Sequence, residues 1–411
     1  MTAVVDGTST ESAPLRLYDT ARQAVVAFEP GPVVRVYVCG ITPYDSTHLG
    51  HAATYLSYDL LIRRLESRGH EVQVVRNITD VDDSILPKAR ELGVDFLELA
   101  AAEIARFQGD MAALDTRPPM AEPRATESID AMVELLTVLA DGGQTYTVDG
   151  ITYFDVTTFE RFGGLSHLSP AEMIDLARER GGTPDDPRQR HPLDFILWQP
   201  SAADEPSWPS PLGEGRPGWH LECSAMAAAA FGPTIDLHGG GADLIFPHHE
   251  CEIAQSESAH GKPFVRHWMH GALVSYDGSK MSKSLGNLVF VSDLVKQVDP
   301  RAIRIALLHH HYRVDWEWFD DEIDVAQQQL VRLLEAAEAP SGPDPGPTLA
   351  TMRAALDNDL HAPAATAELI GLGDVILADG GDDPASGAGL VAAAALVGLD
   401  LTRPLDRETD T

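Results

Sequence analysis

Residues 33–40 read VVRVYVCG, a β-branched run that predicts a short buried strand ending at Cys39 and Gly40. A helical pattern follows over residues 52–67, and HEVQVVR at residues 70–76 predicts a second strand. Strand, helix and strand in this order are typical of a Rossmann-like, doubly wound α/β fold with a parallel sheet. Ligands of such folds bind at the carboxyl ends of the strands, where Cys39 and the turn NITD at residues 77–80 both fall.

The rest of the chain divides around this core. Further strands are expected at residues 233–237, just before the glycines of HGGG, and at residues 265–274. The pattern is helical from about residue 300, apart from a linker rich in Pro and Gly. The predicted boundaries are 1–30 for a leader, 31–115 and 190–275 for the two halves of a Rossmann-like catalytic domain, and 116–189 for a connective insertion. Residues 276–338 are expected to form a region that contains the loop KMSKS, and residues 339–411 a C-terminal helical segment.

The 411-residue chain is strongly acidic, with 30 basic and 63 acidic side chains and a net charge of −33. Such a field repels polyphosphates wherever no local positive patch overrides it, so tight nucleic-acid binding is not expected. The chain also shows no secretory signal and no apolar run long enough to span a bilayer, and we expect a cytoplasmic protein. Its three cysteines cannot all pair, which favours metal binding or catalysis over disulfides.

Cys39, Cys223 and His248 are candidate metal ligands. They lie too far apart in sequence for a compact zinc finger, so the fold itself would have to assemble the site. Three protein ligands with an open fourth position are typical of catalytic zinc. The alternative is that both cysteines are buried small side chains and His248 is a loop residue. Glu252, four residues after His248, fits a fourth ligand or a solvated position, whereas Cys251 fits the core.

Two short motifs indicate phosphate chemistry. KMSKS at residues 280–284 contains two of only five lysines in the chain, and Lys280 and Lys283 can stabilise the charge of a departing pyrophosphate. HLGH at residues 48–51 combines His48, His51 and the start of a helix, which suits the phosphates of ATP. Together, in this order and on this fold, the two motifs resemble the signatures of class I aminoacyl-tRNA synthetases.

Four segments resemble the cysteine-specific branch of that family: VCGIT at 38–42, NITDVDD at 77–83, RPGWHLECS at 216–224 and DLHGGGADL at 236–244. The resemblance implies one Zn²⁺ on Cys39, Cys223 and His248, with Glu252 in the family's fourth position. It also implies that the zinc takes the substrate thiolate, that Thr79 and Trp219 close around the amino acid, and that magnesium accompanies ATP. The implied catalytic residues are His48, His51, Lys280 and Lys283, and the implied substrate and ATP contacts are Cys39, Gly40, Ile41, Thr42, Thr54, Asn77, Ile78, Thr79, Trp219, Gly241, Ala242, Asp243 and Val274.

The acceptor of the cysteinyl group is a separate question. Residues 341–411 contain three arginines, no lysine and twelve acidic residues, which does not suit a tRNA-binding module. Ile41 and Pro43 depart from the usual synthetase pattern. Residues 39–55 and HHHYRVDWEW at 309–318 instead resemble the mycothiol cysteine ligase family of actinobacteria. That resemblance implies L-cysteine, ATP and the amine of glucosaminyl-inositol as substrates, no nucleic acid or membrane partner, and a monomer.

Two other functions stay open on the sequence alone: a true cysteinyl-tRNA synthetase, and a cysteine sensor without catalysis on the same scaffold. The segment ERGGTP at residues 179–184 resembles a family signature, but its residues indicate no chemical role, and a structural turn explains them equally well.

Overall fold

The strand that contains VVRVYVCG lies inside a parallel sheet of the computed structural model, which describes residues 13–44, 47–281, 286–378 and 380–405. Its neighbour toward the C-terminus runs parallel to it, from the pair Val33 and Glu71 to the pair Ile41 and Ile78. The expected strand, helix and strand are therefore confirmed. The first elements are β1 (Arg16–Asp19), β2 (Ala24–Ala27), β3 (Val33–Ile41), α1 (Leu49–Ser67) and β4 (Glu71–Ile78).

The alternation of side chains along β3 builds two cores. Val34, Val36 and Val38 belong to a cluster that includes the apolar face of α1. Tyr37 and Cys39 point to the opposite face and belong to a second cluster. Successive side chains of a strand face opposite sides of its sheet, so one strand holds together both layers of the fold. Before β3, where we expected a leader, β1 and β2 form an antiparallel hairpin.

An antiparallel sheet with flanking helices follows β4. Residues 145–154, one strand-like stretch in the sequence, form two strands that turn at Asp149 and Gly150, both of positive φ. The sheet order is β5-β6-β7-β8. The strands β7 and β8 lie beyond residue 189, where we expected the connective insertion to end. Its elements are α2 (Ile85–Leu92), α3 (Phe96–Ala113), α4 (Ile129–Asp141), β5 (Thr145–Val148), β6 (Ile151–Phe154), α5 (Pro170–Glu179), β7 (Phe195–Gln199) and β8 (Arg216–Pro217).

The chain then returns to the parallel sheet on the other side of β3. The second half comprises α6 (Trp219–Phe231), β9 (Leu237–Gly241), α7 (Glu250–His260) and β10 (Trp268–Gly271). The sheet order is β10-β9-β3-β4, with every pair parallel, which confirms the predicted doubly wound α/β class. The strand expected at 233–237 was placed too early, because the glycines themselves form β9. A Cβ on Gly239 would lie only 1.7 Å from the Met269 carbonyl oxygen of β10.

A helical bundle completes the described chain. Two buried arginines of its first long helix hold the end of the chain: Arg301 donates to the carbonyls of residues 400, 403 and 404, and Arg304 donates to that of Val397. Within the described ranges no helix is both long and apolar enough to cross a membrane. The remaining elements are β11 (Val274–Tyr276), β12 (Ser279–Lys280), α8 (Val291–Leu294), α9 (Pro300–Leu308), β13 (Trp316–Glu317), α10 (Asp321–Ala337), α11 (Gly346–Asp357), α12 (Ala362–Ala378) and α13 (Ser386–Leu396).

Candidate active site

A cavity of about 620 Å³ opens where the carboxyl ends of β3 and β9 meet. The chain winds outward from this pair of strands in both directions, and doubly wound folds bind ligands at such a switch point. The volume lies within the usual range for small-molecule sites. The sequence-predicted residues that line the cavity are Cys39, Gly40, Ile41, Thr42, His48, His51, Thr54, Trp219, Gly241, Asp243, Val274 and Lys280.

Other predicted residues stand behind this lining. Asn77 accepts a hydrogen bond from the Gly40 N–H at 3.0 Å and donates to the Cys223 sulfur at 3.1 Å. The Thr79 hydroxyl lies 2.7 Å from that of Thr42. These two side chains therefore position the cavity wall without lining it. Ile78, a core residue, and Ala242, in the turn after β9, are likewise described but are not part of the lining, and Lys283 lies outside the described residues.

Gly40 is required by the approach of β4. A Cβ at this position would lie 1.6 Å from the carbonyl oxygen of Asn77. Real atoms do not approach so closely, so any larger residue would push the two strands apart at the point where the cavity opens. The glycine after Cys39 thus lets β3 approach Asn77 closely at the irregular pairing between Val38 and Ile41.

A buried group of metal-ligating side chains adjoins the cavity through Cys39. Cys39 from β3, Cys223 from α6, His248 from the segment before α7 and Glu252 from α7 bring their ligand atoms within 4.8 Å of one another. All four residues are buried. Two sulfurs, one imidazole nitrogen and one carboxylate oxygen are donors that suit zinc. The sequence-predicted ligand set, including Glu252, is therefore assembled by the fold.

A second set overlaps the first, and the hydrogen bonds distinguish them. Cys39 and Glu252 also lie near His238 and His249. Both ring nitrogens of His238 are occupied, one by the Tyr37 carbonyl at 3.0 Å and the other by Glu252 at 3.0 Å. His249 is similarly engaged, with its Nδ1 2.8 Å from His270 and its Nε2 3.3 Å from the Cys39 sulfur.

His248, unlike His238 and His249, has a ring nitrogen that makes no hydrogen bond to the described residues. Its Nδ1 lies 2.8 Å from a ring nitrogen of His220, whereas its Nε2 is buried with no hydrogen-bond partner in the described chain. The Oε1 atom of Glu252 is buried and unpartnered in the same way. Buried polar atoms are rarely left without a partner, and a metal ion would satisfy both of these. The set Cys39, Cys223, His248 and Glu252 is thus the better candidate metal centre.

The surroundings of this group are dry. Burial raises the pKa of the Cys39 and Cys223 thiols and lowers that of His248. The imidazole is therefore neutral and able to ligate, while the thiolates that a metal needs require its positive charge. The Trp219 ring stacks on His248 with centroids 4.0 Å apart, which fixes the ring plane.

The other end of the cavity is suited to phosphate. His48 is the N-cap of α1 and accepts from the Gly50 N–H at 3.1 Å, and no acidic residue occupies the first turn of the helix. The positive end of the helix dipole is therefore unneutralised, as at helix N-termini that bind anions. The ring of His51 lies 3.9 Å from that of His48. Across the cavity, the Lys280 ammonium pairs with Asp243 at 3.0 Å.

The description "tRNA synthetases class I (C) catalytic domain" belongs to the family model that matches residues 26–328. Curated relatives carry the name L-cysteine:1D-myo-inositol 2-amino-2-deoxy-alpha-D-glucopyranoside ligase. The one from Streptosporangium roseum is 50% identical and aligns over 95% of this chain and 96% of its own length. That from Nocardia farcinica is 47% identical over 94% and 96%. The chain belongs to this class I synthetase-like ligase family.

The fold of the enzyme is also similar to those of solved aminoacyl-tRNA synthetases. The methionyl-tRNA synthetase of Mycobacterium tuberculosis, in complex with methionyl-adenylate, gives a TM-score of 0.63 at 17% identity and covers 89% of this chain and 88% of its own. The leucyl enzyme of Agrobacterium radiobacter, in a ternary complex, gives 0.64 at 12% identity, covering 91% and 85%. These identities are too low to compare substrates.

Several residues that lie at this site in the structure of the enzyme are not marked by any sequence motif. His220 and Trp219 both contact His248, but only Trp219 was predicted. His249 stands beside His248 in sequence, and neither spacing nor residue type tells which of them has a free nitrogen. The buried carboxylate of Glu222, next to Cys223, has no hydrogen-bond partner in the described part. No sequence signal shows that this carboxylate lacks a hydrogen-bond partner, since its surroundings depend on the packing of α6.

Proposed function

We propose that the enzyme activates L-cysteine with ATP to give cysteinyl-AMP and pyrophosphate, and then joins the cysteinyl group to the amine of glucosaminyl-inositol. One observation supports this above the others: Cys39 belongs both to the buried metal-ligating group and to the lining of the cavity that carries His48, His51 and Lys280. A site for a thiol-binding metal and a site for a nucleotide therefore share one chamber. The names of the relatives indicate the same substrates.

Selection of cysteine follows from the donor set. Cys39, Cys223, His248 and Glu252 would hold a zinc ion. The ion would supply a Lewis acid that favours a thiolate far more than an alcohol, and serine would then be rejected without a separate editing site. The chain itself orients the amino acid. Trp219 covers the metal-ligating group from the cavity side, and the hydrogen-bonded pair Thr42 and Thr79 fixes the loop ends beside it.

Adenylate formation uses the opposite end of the chamber. The cysteine carboxylate attacks the α-phosphorus of ATP, and the bond to the leaving pyrophosphate breaks. His48, His51 and the N-terminus of α1 face the phosphates, and Lys280 stabilises the charge that grows on pyrophosphate, with magnesium accompanying ATP. Lys280 can leave Asp243 for this purpose because their ion pair is half-exposed. Asp243 is then free to accept from the ribose.

In the transfer step, the lone pair of the acceptor amine attacks the carbonyl carbon of cysteinyl-AMP. A carbon–nitrogen bond forms, the bond from that carbon to the phosphate oxygen breaks with its electron pair, and AMP leaves. The nitrogen releases one proton, and the product is an amide. The amine of a glucosamine unit is partly neutral near neutral pH, so this step does not demand a strong general base.

The C-terminal bundle favours a small acceptor over tRNA. Residues 341–411 carry three arginines and twelve acidic side chains. Of these arginines, Arg403 is paired with Asp400. Residues 397–404 are moreover held against the core by Arg301 and Arg304, so this segment packs as part of the enzyme. A surface of this charge repels a phosphodiester backbone.

The proposal is tested by product analysis with the purified enzyme. We expect pyrophosphate release that depends on cysteine and is not supported by serine, and an amide product with glucosaminyl-inositol whose mass equals that of the two substrates less one water. Cysteinylation of tRNA in the absence of amide formation would replace the proposal with that of a cysteinyl-tRNA synthetase. Cysteine binding without pyrophosphate release would indicate a sensor.

A further inference from the structure

A second cavity, of about 380 Å³, adjoins the first. Thr42, Tyr44 and Trp219 line both cavities, so a molecule in the second one reaches the chamber of the adenylate across these three side chains. The volume suits a ligand of about the size of a disaccharide. Nothing in the adenylation chemistry above uses this space.

The unassigned segment ERGGTP forms one wall of this second cavity. Arg180, Gly181, Gly182 and Thr183 line it. The Arg180 guanidinium donates to the carbonyl of Asp243 at 2.6 Å and to that of Phe246, which ties the segment to the turn that carries a nucleotide-facing carboxylate. The turn is tight, because a Cβ on Gly182 would lie 2.8 Å from the carbonyl oxygen of Ala177. The wall of one cavity is thus fixed directly to the edge of the other.

The acidic groups of the second cavity differ in how far the protein already uses them. Asp194 accepts hydrogen bonds from the Tyr146 hydroxyl and from the backbone at Val156 and His191. Asp83 forms an ion pair with an arginine of β8. Asp82 accepts from the Ser84 N–H at 2.7 Å, but no lysine or arginine of the described residues forms an ion pair with it.

Asp82 is therefore the acid that a ligand can still compensate. Burial raises its pKa, the hydrogen bonds from Ser84 and the charge of Arg216 oppose that rise only in part, and Asp83 adds to it. A carboxylate withdrawn from water in this way gains most from a cationic partner. Its position at the cavity wall beside Ser84 makes it accessible to such a partner.

Polar and aromatic groups fill out the wall. The Gln189 side chain is held by the Asp194 carbonyl at 2.8 Å through its nitrogen, while its Oε1 is buried and has no partner in the described chain. The rings of Phe195 and Trp219 offer flat apolar faces to the carbon skeleton of a sugar.

We infer that the second cavity is the acceptor subsite of the proposed reaction and takes a polyhydroxylated primary amine. Asp82 pairs with the ammonium form and accepts its proton, which leaves the neutral amine to attack, and the turn at residues 181–183 encloses the polyol. This inference rests on the proposed function. A phosphodiester end does not suit the same space, because Asp82 and Asp83 both face it.

The test separates the two half-reactions. Cysteine-dependent exchange between ATP and pyrophosphate reports adenylation, and amide formation with glucosaminyl-inositol reports the acceptor. We expect Asp82→Asn to raise the KM for glucosaminyl-inositol about 10- to 100-fold, the loss of one charged hydrogen bond, with a far smaller effect on exchange. Glu91→Gln is the matched control, since Glu91 is an exposed acid of nearby α2 that pairs with Lys88 outside both cavities.

A second variant covers the case in which Asp82→Asn also loses exchange. Ile196→Trp would fill the cavity from β7 and should raise the same KM while exchange persists. The decisive variant is Asp82→Asn if it keeps exchange, and Ile196→Trp if it does not. The inference is overturned if the wild-type enzyme forms the amide and the KM of that variant for glucosaminyl-inositol stays within threefold of the wild-type value. If the wild-type enzyme forms no amide at all, the proposed function itself fails, and this result is distinct from the previous one.

Discussion

Replacing Cys223 with alanine should abolish tight zinc binding. Cys223 is 1% exposed, and its sulfur is one of four candidate donor atoms within 4.8 Å of one another. Zinc bound to four protein ligands is stabilised by about 10 to 16 kcal/mol, or about 2.5 to 4 kcal/mol for each ligand. Loss of one ligand should therefore weaken binding by a factor of about 100 to 1,000. The small void left by the thiol adds a destabilisation of about 1 kcal/mol.

The assay is zinc content per chain after purification, followed by competition with a chelator of known affinity. Cys251→Ala is the matched control, because Cys251 is also 1% exposed and lies on α7 beside Glu252, yet it is not part of the metal-ligating group. We expect one zinc per chain in the parent and in Cys251→Ala, and little in Cys223→Ala. Equal zinc retention in the two variants, or equal loss, would refute the assignment of the ligands.

Three further predictions concern catalysis and stability. Lys280→Ala should slow cysteine-dependent exchange by about 100- to 1,000-fold with little change in cysteine affinity, whereas Lys262→Ala, at an exposed position away from the cavity, should not; equal effects would count against the assigned role. Burial raises the pKa of Asp110 to about 6, so the folded state holds its proton more tightly than the unfolded one, and stability should fall as pH rises from about 4 to 6. Asp110→Asn should remove that slope and raise the free energy of unfolding at pH 7.5 by up to about 3 kcal/mol in urea titrations; no gain would contradict this account. Asp59→Ala should cost about 3 to 5 kcal/mol in the same assay, because it leaves the buried Arg304 without its carboxylate, and a cost under about 1 kcal/mol would show the pair to be unimportant.

The sequence predicted the sheet and the chamber because local signals there coincide with the fold. The β-branched run before Cys39 and the cap at His48 are read from adjacent residues, and both lie where the structure places the cavity. The strand predicted at residues 233–237 was placed too early, and the cause is the glycines that follow it. Glycine normally disfavours a strand, but Gly239 is required where β9 and β10 approach, and no local pattern shows that approach.

Features that depend on distant contacts were not predictable in this way. The availability of His248, in contrast to His249, is decided by partners at His220 and His270, far from them along the chain. The role of Arg180 likewise depends on the carbonyl of Asp243, more than sixty residues away. Residue types predicted a metal site and a nucleotide site, whereas the choice of candidate atoms required the three-dimensional contacts.

Trp219 stands where the two cavities meet and at the same time packs on His248. Acyl phosphates decompose in water, so the yield of the reaction depends on keeping solvent from the activated intermediate until the second substrate arrives. The indole of Trp219 lies between the two cavities and limits the access of water to the intermediate from either one. Shortening it would couple less of the ATP consumed to product, and the enzyme would drift toward a futile hydrolase even with every catalytic group in place.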